Sequence, residues 1–378
     1  MYIKKIILDG FRNYDNEETI FSENINMITG ENAQGKTNLL ESIYFTSFGK
    51  SFRTVRDRDM IGFGRDYCRV KADYIIEDEE EKAEIALAKD GRKAAKINGR
   101  KVERISEMIN TFLVVIFSPE DLGLIREGPS VRRRYLDMMI SQISRRYFIA
   151  LQQYRTGLDQ RNAILRNLKT DSSAGKTMLG VFEEAMARSA AEIIRERRRI
   201  VSVLSEIARE TYLRISGTEE QLRINYHSSV KEEENVEESL CRLLRENRDD
   251  DVRLGMTSVG PHRDDLILSL DKNQMKQFAS QGQVRTAALS MKLSQMKILK
   301  DDSGEEPILL LDDVMSELDR KRRASLINEI LSFQTFITCA DREDVDCDKV
   351  SRIWQVSAVD GLASLVKWSE HENVSRET

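Results

Sequence analysis

The chain has 378 residues, a net charge of −5, and 40% hydrophobic and 33% charged residues, which predicts two or three soluble domains with real cores. No run is apolar enough to cross a membrane, and Met1 to Leu8 is too short and too interrupted by Lys4 and Lys5 for a signal peptide. Cys68, Cys241, Cys339 and Cys347 form no C-x-x-C pair, and His227, His262 and His371 are dispersed; they read as reduced cytosolic thiols and isolated imidazoles, not a disulfide framework or a zinc cluster.

Tyr2 to Leu8 alternates apolar and charged residues as a strand does, and Gly10-Phe11-Arg12-Asn13-Tyr14 follows. Ile25 to Ile28 reads as a short buried strand. It leads into Gly30-Glu31-Asn32-Ala33-Gln34-Gly35-Lys36-Thr37, the G-x-x-x-x-G-K-T pattern of a phosphate loop. The glycines let the backbone curl so that successive N–H groups surround a polyphosphate. Lys36 is placed to reach the β- and γ-phosphates and Thr37 to hold Mg²⁺. Leu39, Leu40, Ile43, Tyr44 and Phe48 then recur at helical spacing, so the phosphates would sit on a helix N-terminus. A second GKT at Gly175-Lys176-Thr177 has Thr170 where the pattern needs glycine, and reads as a polar loop between helices.

Past the polar stretch Ser51 to Arg56, Tyr67 to Ile76, Ala83 to Ala88 and Ala94 to Ile97 read as strands, with Asn98-Gly99 a hairpin turn. The apolar run Thr111 to Phe117 reads as a buried strand ending at Ser118-Pro119. After Gly128-Pro129 the texture becomes helical. Phe182, Met186, Ala190, Ile193, Ile200, Leu204 and Ile207 mark one seam, interrupted by Arg197. Two or three long helices packed as an antiparallel arm are expected, and a helix from Met178 to Ser216 would be roughly 60 Å long. Between Arg126 and Lys169 ten cationic residues stand against three acidic ones, offset elsewhere by Glu77 to Glu81, Glu232 to Glu234 and Asp249 to Asp251. That excess suits either a phosphate-backbone contact, with Arg132 and Arg133 as the expected contacts, or an ordinary solvated helix face.

Leu222 to Tyr226 reads as a strand and Val236 to Leu244 as a helix, before mixed texture returns near Met256. Asp265 to Leu270 is an expected strand and Gln283 to Leu299 an expected helix. Ser280-Gln281-Gly282-Gln283 stands at that helix start, either as a simple cap or as a second anion-binding N-terminus. After Pro307, the apolar run Ile308 to Leu311 ends in Asp312-Asp313. An acid at the end of a buried parallel strand can hold Mg²⁺ through water, which is the role expected of Asp312; Asp313 would orient or deprotonate an attacking water. Arg320 to Leu331 reads as a helix, and Thr335 to Thr338 and Ile353 to Val356 as strands. Lys36 and Asp312 lie farther apart in sequence than one nucleotide fold needs. An inserted lobe at 126–250 is therefore expected, between ATPase halves at 1–125 and 251–378.

Ser280 to Gln283, ahead of the Asp312 strand, resembles the signature loop of ABC-type ATPases, and Ser316-Glu317-Leu318-Asp319 resembles their D-loop. Further blocks are Gly10 to Tyr14, Gly49 to Thr54, Phe117 to Leu122, Gly128-Pro129 with Arg132 to Arg134, Thr257 to Asp265, Phe278 to Thr286 and Leu310 to Asp319. Together they resemble the RecF family of bacterial recombination-mediator ATPases, relatives of the SMC-type heads, across nearly the whole chain. The resemblance implies an α/β fold: an ABC/SMC-head-like ATPase lobe with mixed sheets plus an inserted helical lobe. It implies ATP held by Gly30, Glu31, Asn32, Ala33, Gln34, Gly35, Lys36 and Thr37, with Arg12, Asn13 and Arg53 nearby. Ser280, Gln281, Gly282, Gln283 and Asp319 would face the partner's nucleotide, Thr37 and Asp312 would hold Mg²⁺, and Lys36 and Asp313 would serve hydrolysis.

The implied function is a cytoplasmic, weakly DNA-stimulated ATPase of recombinational repair, replication restart and the SOS response. ATP would join two subunits on single-strand/double-strand DNA junctions, RecO and RecR would help place RecA, and slow hydrolysis would release the DNA; no membrane partner is implied. Two departures from ABC transporters stand out. Thr338-Cys339-Ala340-Asp341 offers no switch histidine, and no Q-loop glutamine can be placed. A transporter ATPase subunit and a P-loop kinase are the competing readings.

Overall fold

The computed structural model describes residues 1–109, 111–170, 176–231, 235–342, 345 and 347–368. Gly175 of the second GKT, the run Glu232 to Glu234 and His371 lie outside them. The chain divides into two compact units, 1–121 with 295–378, and 122–294.

The first unit holds two six-stranded sheets. One is antiparallel, ordered Tyr14–Ile20, Tyr2–Phe11, Tyr67–Ile76, Glu79–Ala88, Lys93–Ile97, Arg100–Lys101. Its strands alternate buried and exposed residues, as a sheet with one covered face must. Asn98 and Gly99, with φ of 51° and 77°, form the two-residue turn that pairs Ile97 with Arg100. The other sheet is ordered Leu362–Lys367, Arg352–Val359, Ile25–Thr29, Thr335–Cys339, Ile308–Asp312, Val114–Phe117. All of its pairings are parallel except the Arg352–Val359/Leu362–Lys367 hairpin. Its central strands are buried on both faces, which explains their continuous apolar runs. The helix Lys36–Phe48 packs against strands of both sheets and is buried on nearly every side. Gln334 ties the sheets at their edge: its side chain accepts from Ile3 N at 2.7 Å and donates to Ile3 O and Ser22 O, each at 2.7 Å.

The second unit is built on the helices Pro129–Ile143, Arg145–Thr170 and Lys176–Ser216, the last 41 residues long. Arg145–Thr170 packs along Lys176–Ser216, forming the expected arm. The unit runs past residue 250 because Asp265–Leu270 pairs antiparallel with Leu222–His227, from Asp265 opposite His227 to Leu270 opposite Leu222. The helix Gln281–Ser303 begins in this unit and ends in the first.

The interior of the second unit is held by arginines. Arg161, fully buried, donates to Asp251 Oδ2 at 2.7 Å, Thr257 Oγ1 at 2.9 Å, Glu183 Oε1 at 3.1 Å and Leu244 O at 3.2 Å. Arg197, the interruption in the apolar seam, donates to Pro261 O at 2.7 Å, Asp137 Oδ1 at 2.8 Å and Tyr147 OH at 3.0 Å. Arg132 makes a two-pronged bond to Asp265, at 2.7 and 2.9 Å, and Arg133 donates to Asp264 O at 2.8 Å. The expectation that Arg132 contacts a phosphate backbone is therefore overturned: it is a buried, carboxylate-paired core residue, and Arg133 is half-buried beside it. Of the basic stretch, Arg126, Arg134, Arg145, Arg166 and Lys169 are exposed without an ion pair among the described residues.

Removing one partner of a buried charge strands the other. Asp251→Ala is expected to destabilise the protein by about 3–5 kcal/mol in urea unfolding, whereas Arg134→Ala shifts the midpoint by no more than about 0.5 kcal/mol.

Candidate nucleotide-binding site

The strand Ile25–Thr29 delivers the chain into the phosphate loop at the carboxyl edge of the parallel sheet. Gly30 turns with φ of 148°, and a Cβ there would lie 2.4 Å from Val356 O. Gly35, with φ of 123°, would press a Cβ to 2.9 Å from Asn13 Oδ1. Gly35 is the N-cap of Lys36–Phe48, no side chain caps that end, and its first turn carries no acid. The first helical N–H groups are thus available to an anion.

Lys36 folds back over the loop, its Nζ donating to Gly30 O at 2.6 Å and Glu31 O at 3.0 Å and lying 3.5 Å from Asn32 Oδ1. Burial lowers its pKa, and the charges of Asp313 and Asp312 oppose that shift. Thr37 Oγ1 donates to Asp312 Oδ1 at 2.8 Å, and Thr338 Oγ1 reaches the same oxygen at 2.8 Å. Strand register explains this meeting: Asp312 lies opposite Thr338, and Thr338 lies opposite Ile28 on the strand that enters the loop. Burial raises the Asp312 carboxyl pKa, opposed by the two threonine hydroxyls and then by the charge of Arg53. Asp313 turns the chain with φ of 53°, so it is exposed where Asp312 is buried. Its N–H donates to Thr338 Oγ1 at 2.9 Å, and its carboxylate accepts from Ser316 Oγ at 3.2 Å.

The remaining expected residues divide. Asn13 supports the loop, donating to Gln34 O at 3.0 Å and accepting from Asn38 Nδ2 at 2.8 Å. Ala33 takes the left-handed φ of 65°. Arg53 Nη1 donates to Asn38 Oδ1 at 2.8 Å. Arg12 grips both oxygens of Glu41, at 2.6 and 2.7 Å. Asp319 caps the helix Arg320–Ile330 by accepting from Arg322 N at 3.0 Å, a bond that lowers its pKa. Ser280 to Gln283 belong to the second unit and form a reciprocal cap. Ser280 Oγ accepts from Gln283 N at 3.3 Å, and Gln283 Oε1 accepts from Ser280 N at 2.8 Å. The helix starts at Gln281, two residues earlier than its apolar pattern indicates, so Gly282 and Gln283 lie in its first turn.

Three features of the site escape the sequence reading. Glu41 is a wholly buried carboxylate that binds Arg12, accepts from Ser51 Oγ and lies 3.8 Å from Arg53; its one signal is a lone acid inside an apolar helix. The C-terminal hairpin backs the loop, Ala358 N donating to Gln34 Oε1 at 2.6 Å and Ala363 N to Asn13 O at 2.8 Å. Its Asp360-Gly361 turn, with φ of 52° and 82°, is a legible hairpin signal. Glu120 follows the strand beside Ile308–Asp312, and its charge raises the pKa of Asp312.

Chemically, the loop N–H groups and Lys36 form a cradle for a polyphosphate, and the Thr37 and Asp312 oxygens suit a hard cation. No group of three His, Cys, Asp or Glu gathers among the described residues, so such a cation would take its other ligands from phosphate and water.

The model of the RecF/RecN/SMC N-terminal domain matches residues 2–361. The DNA replication and repair protein RecF of Clostridium acetobutylicum is 41% identical over 346 residues, covering 92% of this chain and 94% of that protein. The chain belongs to the RecF family. The solved RecF–ATP structure, of a recombination mediator protein in the RecFOR pathway, superposes with a TM-score of 0.89 at 37% identity, over 97% of this chain and 98% of that one. An Smc head solved with the C-winged-helix domain of ScpA, at 17% identity and a TM-score of 0.60 over 99% of both chains, shares the fold. The SMC-head-like α/β architecture read from the RecF-type motifs is thus present.

The raised Asp312 pKa makes a signed prediction. A carboxyl whose folded pKa exceeds its unfolded value costs stability above the folded value and nothing below the unfolded one, about 3.9. In nucleotide-free protein, Asp312→Asn is expected to raise the melting temperature at pH 7, the gain vanishing as pH falls through that window. Equal melting at pH 7 would count against an ionised, buried Asp312.

Proposed function

We propose that this chain is an ATP-gated DNA-binding protein of recombinational repair and replication restart, with a weak ATPase as its timer. The observation that carries this reading is the Thr37 Oγ1–Asp312 Oδ1 pair, at 2.8 Å beside a preformed phosphate loop, in a chain of the RecF family. Lys36 exchanges the carbonyls of Gly30 and Glu31 for phosphate oxygens, and the loop glycines, with Glu31, Asn32, Ala33 and Gln34, shape the backbone around them. Thr37 and Asp312 would hold Mg²⁺, which would supply positive charge to offset that of the phosphates. Asp313, exposed next to Asp312, orients the attacking water. Arg53, whose charge acts on Asp312, would face the γ-phosphate, and Arg12 and Asn13 would set the floor of the site.

Ser280, Gln281, Gly282 and Gln283 present a helix N-terminus that would meet the nucleotide of a second copy, with Asp319 at the same interface, so ATP would join two subunits. Exposed cations such as Arg134, Arg145, Arg166 and Lys169 offer phosphate contacts in place of Arg132. The closed dimer would bind single-strand/double-strand junctions in the cytoplasm and release them on hydrolysis. The relative in the RecFOR pathway supports RecO and RecR as partners, with RecA loading as the outcome this reading expects. Among the described residues no helix is long and apolar enough to cross a membrane.

The test is solution mass with and without ATP·Mg²⁺, for wild type and Lys36→Met, with gapped DNA in a parallel set. An ATP-dependent dimer that binds DNA and is lost in Lys36→Met is expected. ATP binding by a monomer that ignores DNA would overturn the reading and favour a kinase-type activity.

A further inference from the structure

The segment that joins the phosphate-loop helix to the strand Tyr67–Ile76 carries two apolar side chains standing wholly in solvent. Phe63 and Val55 have relative exposures of 108% and 99%, whereas the next most exposed large hydrophobic among the described residues, Val359, reaches 72%. The segment is held in place. Thr54 Oγ1 donates to Asp59 Oδ2 at 2.7 Å, Gly62 N donates to Gly10 O at 2.8 Å, and Ile61 bridges to Phe11. Arg65 N donates to Gly62 O at 3.0 Å, closing a four-residue turn with Phe63 at its first corner and Gly64, φ 77°, at its second. Phe63 is thus displayed by the fold.

Its surroundings are charged. Arg56 and Arg58 are exposed and make no ion pair among the described residues. Of the nearby acids, Asp57 pairs with Lys93 at 2.7 Å, the exposed Asp66 lies 3.8 Å from Lys89, and Asp59 accepts from the Thr54 hydroxyl. A second, partly exposed aromatic, Tyr67, follows four positions later.

We infer that this edge reads an unpaired base: Phe63 stacks on a base freed at the end of a duplex while Arg56 and Arg58 hold the flanking phosphates. The inference rests on the DNA-binding reading above. A protein partner is the poorer match, because protein interfaces bury aromatics in packed patches depleted of charge, whereas Phe63 stands alone on an exposed turn in a segment that also carries the exposed Arg56 and Arg58. A strand with an unpaired step offers the complementary pattern, a π-face beside regularly spaced phosphates. An intact duplex hides its base faces, so phosphate contacts alone cannot tell a junction from plain duplex, and an exposed aromatic can.

The test uses the full chain with ATP·Mg²⁺ and DNA carrying 2-aminopurine at the first unpaired position of a gap, against blunt duplex of the same length. Wild type is expected to quench the probe and prefer the gapped DNA. Phe63→Ala is expected to lose roughly 5- to 150-fold in gapped-DNA affinity with duplex affinity retained, and Phe63→Trp to keep the preference. Arg56→Ala with Arg58→Ala should weaken both DNAs alike and flatten the salt dependence. Unchanged binding by Phe63→Ala, an equal loss on both DNAs, or loss of the ATP-dependent dimer in that variant would each overturn the inference and leave the DNA-binding reading standing. Wild type that binds neither DNA overturns both.

Discussion

Everything around the phosphate loop depends on one buried carboxylate. Glu41 lies on the inward face of the helix that follows the loop, wholly removed from solvent. An ionised group in that position must be paired and hydrogen-bonded or it would unfold the site. It is paired three ways, by the two-pronged grip of Arg12, the hydroxyl of Ser51 and the nearby guanidinium of Arg53. The partners come from two stretches of chain, Arg12 from one and Ser51 and Arg53 from the other, so one charge draws the end of the first strand and the segment past the helix onto the same helix. With Arg12 anchored, Asn13 and Tyr14 fall beneath the loop, where they bond Gln34 O and Gly35 O. The loop is therefore shaped from below before any phosphate enters it.

The opposite wall is set by the parallel sheet. Its carboxyl edge gathers Thr37, Thr338 and Asp312 around one oxygen, and burial holds that carboxyl at a cost to the ligand-free fold. Such a cost is common at functional sites, where natural proteins trade stability for the groups that activity needs. The left-handed backbone at Asp313 then separates two adjacent acids into one buried and one exposed position, giving them different chemistry from the same residue type.

The second unit solves a different problem. Long helices with a purely apolar seam can slide, and here Arg197 interrupts the seam while Arg161 is buried on the neighbouring helix, both held by bonds to specific partners. Their partners Asp251 and Pro261 come from the chain beyond the arm, so the arm and the segment that follows it are fastened together. Together with the pairing of Asp265–Leu270 onto Leu222–His227, that fastening carries the compact unit past the change in composition.

What the sequence by itself determined was local. The glycine and lysine spacing of the loop, the apolar runs of the parallel strands, the alternation of the antiparallel ones, the Asn98-Gly99 turn and the long helices all follow from rules acting within a few residues. What only the tertiary structure decided was the fate of the charges. The basic stretch from Arg126 to Lys169 looks like one exposed surface when counted along the chain. Yet Arg132 finds its carboxylate 133 residues away and Arg161 finds Asp251 90 residues away, and both leave the surface. Glu41 follows the same logic in the first unit. A charge count is a sum over neighbours in sequence, whereas burial and pairing are set by neighbours in space, and the two coincide only where the contacts are short in range.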